Sequence, residues 1–461
     1  MKALSIHELR AAGRAVDAPF RLDARVAECS DSLHIRRVLR LLPGKRLTAE
    51  AEWRGQTVVL KLFYAPRGAA RHFRRERDGL AALRAAGLAT PQLLAEGNSD
   101  GAPLLLLEFL AASQPLSRVE PARQPRRAVL AAVRQMHAAG LLQKDIHPDN
   151  FLVAGESVHC IDGDAVDAAR AGQPLPEAIA RDNLALFLAQ FTLEDSALWL
   201  KALPAAPDAS LPAAVRRQRL ARFARYRPKL YRDCTEIVRE QDARRLLLLR
   251  REEDNPALRA LLEDPDGFVA RGAPLKLGRS ATVVRCDLAG GRAVVVKRYN
   301  VWAKPWRLLS RAIRPSRAWR SWGNAHLLRF FGLPASGPLA MLERRFGPLR
   351  GTAYFVGEYV EGWPGNAYFD SHPEPPPAVL EALIHLFTAL KTLGISVGDT
   401  KLSNFLLRDA APRARLVDLD DIRLHRSEVS FARAWQNDRA RFLRNFAHRA
   451  RWREWFEVHL P

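Results

Sequence analysis

The sequence predicts an α+β chain of two tandem bilobal units, each with a small antiparallel β lobe followed by a mainly helical lobe. Three observations carry this expectation. The stretch K-D-I-H-P-D-N-F-L-V at 144–153 recurs in altered form as G-D-T-K-L-S-N-F-L-L at 398–407, each with an Asp five positions before an Asn. Asp145 and Asn150 are the first pair, Asp399 and Asn404 the second, and a strand-like apolar triplet follows at once in both. A further Asp closes each stretch: Asp162 after V-H-C-I and Asp418 after L-V. A lone D-x-x-x-x-N is usually a polar turn. Lysine strand, helix, glycine, D-x-x-x-x-N, strand and Asp, repeated in one order with Gly140 and Gly394 each five residues before the first Asp, is a much stronger signal.

At 461 residues the chain is long for one domain and comfortable for two, each able to bury its own core. We place the first unit at 1–250, with its β lobe at about 20–110 and helical lobe at 111–250. The second occupies 251–461, divided near 264–360 and 361–461. Hydrophobic content of 48% and charged content of 26% exclude a disordered or fibrous chain. Cys29, Cys160, Cys234 and Cys286 form no C-x-x-C pair and are too few for a disulfide framework, which fits a reducing cytosol. Glu8 and Arg10 interrupt the N-terminal stretch before an apolar core develops, so no secretory signal is expected. A net charge of +22 calls for an anionic partner: nucleotide, anionic lipid or nucleic acid.

Taken in order, residues 38–42 read as a strand, P-G-K-R at 43–46 as a turn, and 47–53 with 57–63 as a hairpin closed at Arg54 and Gly55. Lys61 lies in V-V-L-K-L-F; its bland reading is an edge lysine facing water. The helix expected at 71–86 carries Phe73, Leu80 and Leu83 on one side, with Glu76 in reach of that side. A strand lysine paired with a carboxylate on the next helix is how kinases aim a lysine at the α- and β-phosphates of a nucleotide. Residues 104–109 form a buried strand entering a hinge at 111–115. Leu130, Val133, Met136 and His137 give a helical stripe over 127–139. A helix at 181–191 offers Asp182 to brace the catalytic loop, and the basic stretch 214–251 has a helical pattern.

In the second unit, 273–284 and 292–299 repeat the lysine hairpin, with Lys297 in V-V-V-K-R-Y. No acid occurs between Asp287 and Glu343. Trp302, Trp306, Trp319 and Trp322 are interleaved there with Lys304, Arg307, Arg311, Arg314, Arg317 and Arg320, a mixture that suits a membrane headgroup interface. The competing reading is a helix with core tryptophans and solvated arginines. Residues 354–361 form the second hinge strand. Val379, Leu383, Leu386, Phe387 and Leu390 then form the stripe before Gly394.

The order of groups is that of phosphoryl transfer from a nucleotide: a carboxylate for the acceptor hydroxyl's proton, then an amide oxygen and a second carboxylate for magnesium. With these motifs in view, the chain resembles the lipopolysaccharide kinase family, a branch of the protein-kinase-like fold. The resembling motifs are L-P-G-K-R, V-V-L-K-L-F, K-D-I-H-P-D-N-F-L-V and C-I-D-G-D in the first unit. In the second they are V-V-V-K-R-Y, S-R-A-W-R-S-W-G-N-A, V-G-D-T-K-L-S-N-F-L-L and L-V-D-L-D-D.

The resemblance implies Asp145 and Asp399 as catalytic bases, and Asn150 with Asp162, and Asn404 with Asp418, as Mg²⁺ ligands. It makes Lys61 and Lys297 the ATP phosphate lysines and Glu76 the partner of Lys61. Lys401 matches the lysine that steadies the transferred group, and His147 takes its place in the first unit. Gly44 and Gly278 stand where a fuller phosphate loop carries more glycines. Gln143 and Val397 replace the His that precedes the catalytic loop in protein kinases. The second unit lacks a helix glutamate, offering Asn324 or His326, unless Glu343 substitutes.

The expected activity is ATP- and Mg²⁺-dependent phosphorylation of a sugar hydroxyl of the lipopolysaccharide inner core, with the first unit the catalyst and the second weak or regulatory. The expected partners are a nucleotide and an anionic, lipid-linked sugar acceptor, met at the cytoplasmic face of the inner membrane by a cytoplasmic, peripheral protein. A protein or small-molecule kinase is the nearest alternative, and a tandem pseudokinase scaffold the alternative of another class. No zinc finger or helix-turn-helix supports nucleic-acid binding.

Overall fold

Strict alternation builds the first sheet. In Phe20–Val26 every second residue is buried and the residues between face outward, the period of a strand with one dry face. Cys29–Leu42, Arg46–Trp53, Gln56–Phe63, Leu93–Ser99 and Ala102–Glu108 join it in a closed, antiparallel six-stranded barrel. The ring closes where Arg25 and Val26 pair with Asn98 and Gly97. Leu22, Ile35, Leu47, Leu60 and Leu106 fill the interior, with Ile6 and Leu9 of the helix Ile6–Ala12 packed against them. In this computed structural model the described residues are 2–204, 208, 210–300, 314–409 and 413–461.

Their contacts divide the chain into Met1–Arg219 and Leu220–Pro461, not at 250/251 as the sequence suggests. The reason lies in the basic stretch expected to be helical. Its helix is Ser210–Tyr226, and beyond it Ile237–Gln241 and Arg245–Arg250 are strands. Leu246, Leu247, Leu248 and Leu249 are all buried in the second unit's sheet, so an unbroken apolar run flanked by arginines is a central strand rather than a helix end. The first sheet also begins earlier than residue 38. Phe20–Val26 and the start of Cys29–Leu42 carry so many charged residues on the outer face that their alternation is hard to see from hydrophobicity alone.

The helical part of the first unit includes Ala69–Ala85, Arg126–Ala138, Glu177–Leu188, Leu193–Lys201 and the start of Ser210–Tyr226. Leu83, Val133, Met136, Phe151 and Phe187 share one core, in which Phe187 lies edge-on to Phe151 and to Trp199. Two short antiparallel pairs frame the repeated motif. Leu142–Gln143 pairs with Val166–Asp167, and Phe151–Ala154 with Ser157–Cys160. Together they hold the 145–150 loop beside Asp162. The helix Ala69–Ala85 is fixed against the same place by bare backbone: a Cβ on Gly79 would lie 2.1 Å from the Gly163 carbonyl oxygen, and one on Gly163 would lie 2.3 Å from that of Glu76.

The second unit has an antiparallel seven-stranded sheet. From one edge to the other its strands are Ile237–Gln241, Arg245–Arg250, Pro338–Phe346, Leu349–Glu358, Ala293–Tyr299, Ala281–Asp287 and Ala273–Leu277. Its main helices are Arg317–Phe330, Pro377–Leu393, Glu428–Arg444 and Ala450–His459. Phe387, Phe405 and Phe442 form a tight aromatic core among them. The framing pairs recur: Ile395–Ser396 with Arg423–Leu424, and Phe405–Leu407 with Arg415–Leu416.

Of the tryptophan-rich segment, Trp302, Lys304, Trp306, Arg307 and Arg311 lie outside the described residues. Trp322 is fully buried and donates to the Leu230 carbonyl, and Trp319 stacks on Tyr231 at 4.2 Å. Trp319 and Trp322 are therefore packing residues. No helix among the described residues is long and apolar enough to cross a membrane.

Because nothing but backbone separates Gly79 from Gly163, Gly79→Ala must displace the helix Ala69–Ala85. Urea unfolding should show a loss of about 1–3 kcal/mol, as for other overpacked sites. An unchanged midpoint would contradict this close approach.

Candidate active site

In the first unit one buried carboxylate gathers the parts. Glu76, fully buried on Ala69–Ala85, accepts from the Lys61 ammonium of the strand Gln56–Phe63. Its two oxygens also accept from the backbone N–H groups of Gly163, at 3.2 Å, and Asp164, at 3.0 Å. Lysine, helix and the D-G-D turn are thus tied at a single point. Lys61 is buried rather than facing water, at 9% exposure.

Asp162 sits at φ 71°, a left-handed conformation in which Asp is tolerated better than most residues. Burial on its own would raise its carboxyl pKa, but Lys61 and then Arg46 outweigh it and keep the group below the usual aspartate range. Arg46 reaches Asp162 at 4.0 Å and Asp164 at 3.5 Å. Asn150 is buried, and its Nδ2 donates to the Asp145 backbone carbonyl at 2.8 Å, while its own backbone carbonyl accepts from Ile161. Gln143, in the place of the missing His, donates to the Asp162 carbonyl at 3.0 Å, and so ties the loop to the D-G-D turn. The Asp145 side chain is exposed and pairs with nothing among the described residues. His147 lies 4.0 Å from Asp149, and Gly44 occupies the turn between Cys29–Leu42 and Arg46–Trp53 at φ 67°.

The loop's brace is Asn183 rather than Asp182. Asn183 donates to the Gln143 carbonyl at 2.9 Å and meets His137 at 2.9 Å, whereas Asp182 pairs with Arg217. One step along a helix turns a side chain by about 100°, so adjacent residues cannot both face the loop.

The second unit reaches a different arrangement. Glu343 does not replace the helix glutamate: it is fully buried and pairs with Arg345 at 2.9 Å and Arg350 at 3.3 Å. His326 is turned into the core against Trp322, its pKa pushed down to about 3, first by burial and then by Arg250 and Arg329. Asn324 donates to the Leu419 carbonyl at 2.7 Å.

The Lys297 ammonium instead lies on Asp418 at 2.7 Å and Asp420 at 3.0 Å. Asp420 also accepts from Tyr299, Ser321 and Arg317. Burial would raise its pKa, yet Lys297 and Arg317 hold it below the usual range. Asp399 is paired as well, with Arg441 at 3.2 Å and Lys401 at 3.7 Å. Asn404 repeats the bond of Asn150, donating to the Asp399 carbonyl at 2.9 Å. Asp438 accepts from the Val397 and Gly398 N–H groups and braces this loop. Gly278 lies in the turn before Ala281–Asp287, donating to the Ala281 carbonyl at 3.0 Å.

Asp420, Asp438, Asn183, Arg46 and Gly79 escaped the sequence reading. A signal for Asp420 was present: D-G-D and D-L-D place a second acid two residues after Asp162 and Asp418 alike. Among the described residues no group of three His, Cys, Asp or Glu side chains is placed to hold a metal ion, and an Asn–Asp donor pair does not require one.

No protein-family model matches the chain, and no curated protein matches it. Among solved structures, WaaP in complex with acyl carrier protein is similar at 25% identity, over 42% of this chain and 88% of that one, with a TM-score of 0.29. The kinase domain of PknI from Mycobacterium tuberculosis is similar at 18% identity, over 40% and 83%, with a TM-score of 0.26.

Asp420→Asn leaves two buried or half-buried cations short of a counter-charge and should destabilise the second unit by about 3–5 kcal/mol in urea titrations. Because the folded pKa of Asp420 is depressed, its contribution is complete above the unfolded value of about 3.9 and is lost as pH falls through the folded one. The difference between wild type and variant should therefore shrink on acidification. A gap independent of pH would contradict the assignment.

Proposed function

We infer that the first unit is a phosphotransferase using ATP and Mg²⁺, and that the second is weak or regulatory. The observation that carries this reading is the tie of Glu76 to Lys61 and to the Gly163 and Asp164 amides, beside a free Asp145 and an ionised Asp162.

The donor chemistry fits the cofactor. Asn150 spends its N–H on the Asp145 carbonyl, which leaves its amide oxygen, and Asp162 supplies an ionised carboxylate; hard oxygen donors of this type suit magnesium. Bound there, the metal neutralises charge on the nucleotide's phosphates. Lys61 is held by Glu76 to meet those phosphates. Asp145 accepts the proton of the acceptor hydroxyl as that oxygen bonds to the γ-phosphorus and the bond to the departing ADP breaks.

In the second unit the chain's own cations already lie on both carboxylates, Lys297 on Asp418 and Arg441 on Asp399. This favours a binding or regulatory role there, the pseudokinase alternative confined to one half. We take the acceptor to be a sugar hydroxyl of the lipopolysaccharide inner core, reached by a peripheral protein at the cytoplasmic face of the inner membrane. That step rests on the motif resemblance and on the +22 charge, which suits an anionic acceptor.

With radiolabelled ATP and isolated core oligosaccharide, Asp145→Asn should lower transfer by about 10²–10⁴-fold, the usual worth of a general base. Asp399→Asn should leave it essentially unchanged. The reverse result would exchange the roles of the two units. Core oligosaccharide from cells lacking the gene should be lighter by one phosphate in mass analysis, and an unaltered mass would exclude this acceptor.

A further inference from the structure

The second unit holds a cavity of about 500 Å³ that the phosphotransfer reading leaves unused. It lies against the helix Arg317–Phe330, and its size is that of a site for a small organic ligand. Phe223, Leu327 and Ile422, each almost fully buried, supply an apolar floor. Tyr231 and Trp319, stacked at 4.2 Å, form an aromatic wall. Gly323 makes room for that wall: a Cβ there would lie 2.2 Å from the Tyr231 hydroxyl.

The rim is cationic. Arg227, Arg320, Arg423 and Arg426 all line the cavity and are exposed. Arg320 has a counter-charge in Asp421 at 3.6 Å, but among the described residues no carboxylate forms an ion pair with Arg423 or Arg426. The charge of Arg423 is felt at His425, whose pKa it helps to depress after burial. An apolar floor beneath a rim of guanidinium groups selects one kind of occupant, with a carbon body and a strongly anionic end. Paired N–H donors make arginine the preferred partner of phosphate oxygens.

We propose that this cavity is a second ligand site, binding an organic phosphate with its phosphate on Arg423 and Arg426 and its carbon portion over Phe223, Leu327 and Ile422. Asp420 lines the same cavity and accepts from Lys297, so the occupant adjoins the carboxylate that holds the second unit's lysine. The site stands on the cavity alone and does not depend on phosphoryl transfer.

The same phosphate chemistry occurs in a free metabolite and in a lipid headgroup, and two probes separate them. Calorimetric titration of the full chain with glycerol 3-phosphate tests the first. Co-sedimentation with phosphatidylcholine vesicles, with and without phosphatidic acid, tests the second. At least one probe should bind, and Arg423→Glu with Arg426→Glu should weaken it by about tenfold or more. Gly323→Ala, which crowds the Tyr231 wall without changing charge, should weaken it as well.

Arg433→Glu with Arg444→Glu, two exposed positions on the helix Glu428–Arg444, is the charge-matched control and should bind as wild type does. The proposal falls if neither probe binds or if the control pair weakens binding equally. It also falls if Gly323→Ala, shown to be folded by circular dichroism, binds like wild type.

Discussion

A fully buried carboxylate cannot stand alone in a protein interior, and the first unit is arranged around that fact. Glu76 needs a cation and further donors to offset its lost hydration, and finds them in Lys61 and two backbone amides. The donors come from two elements, a barrel strand and the turn after Ser157–Cys160, and the carboxylate itself from a helix. The requirement to satisfy one charge therefore fixes the separation of three parts of the chain. Gly79 and Gly163 complete the arrangement by letting the helix come close enough for those bonds to form.

The second unit lacks that acid and solves the lysine's burial in another way. Lys297 is only 7% exposed, so a counter-charge is obligatory there too. Asp418 and Asp420 provide it from the turn itself, with no contribution from helix acids. The cost is chemical rather than structural. A carboxylate engaged by an ammonium is less available to a metal, and Asp399 is similarly engaged by Arg441. Two related frameworks thus divide at the loop acid, with Asp145 open in one and Asp399 held by Arg441 in the other.

Much of this was legible from spacing. The offsets from Asp145 to Asn150 and from Asp399 to Asn404 were visible as letters, and in both units the Asn side chain donates to that Asp's carbonyl. Lys61 and Glu76 could be paired because a strand followed by an amphipathic helix leaves few other ways to bury both. What was hidden depended on direction. Asn183 rather than Asp182 faces the loop, a choice made by helix phase, and Glu343 is turned to Arg345 and Arg350 by its register in the sheet. The four leucines 246–249 fall in a basic stretch with a helical pattern; burial on both sides of an interior strand removes the alternation that marks a half-buried one.

The two sheets also meet the hazard of unpaired strand edges differently. The second unit's outermost strand, Ala273–Leu277, is exposed along its whole length and is blunted by Pro274, an irregularity before Lys276 and the lysine itself. The first unit's sheet has no rim to defend, because it returns upon itself through the two residue pairs between Phe20–Val26 and Leu93–Ser99. Deleting the single strand Phe20–Val26 would accordingly bare two templates at once, along Cys29–Leu42 and Leu93–Ser99, and turn a self-contained ring into a ribbon able to recruit neighbours.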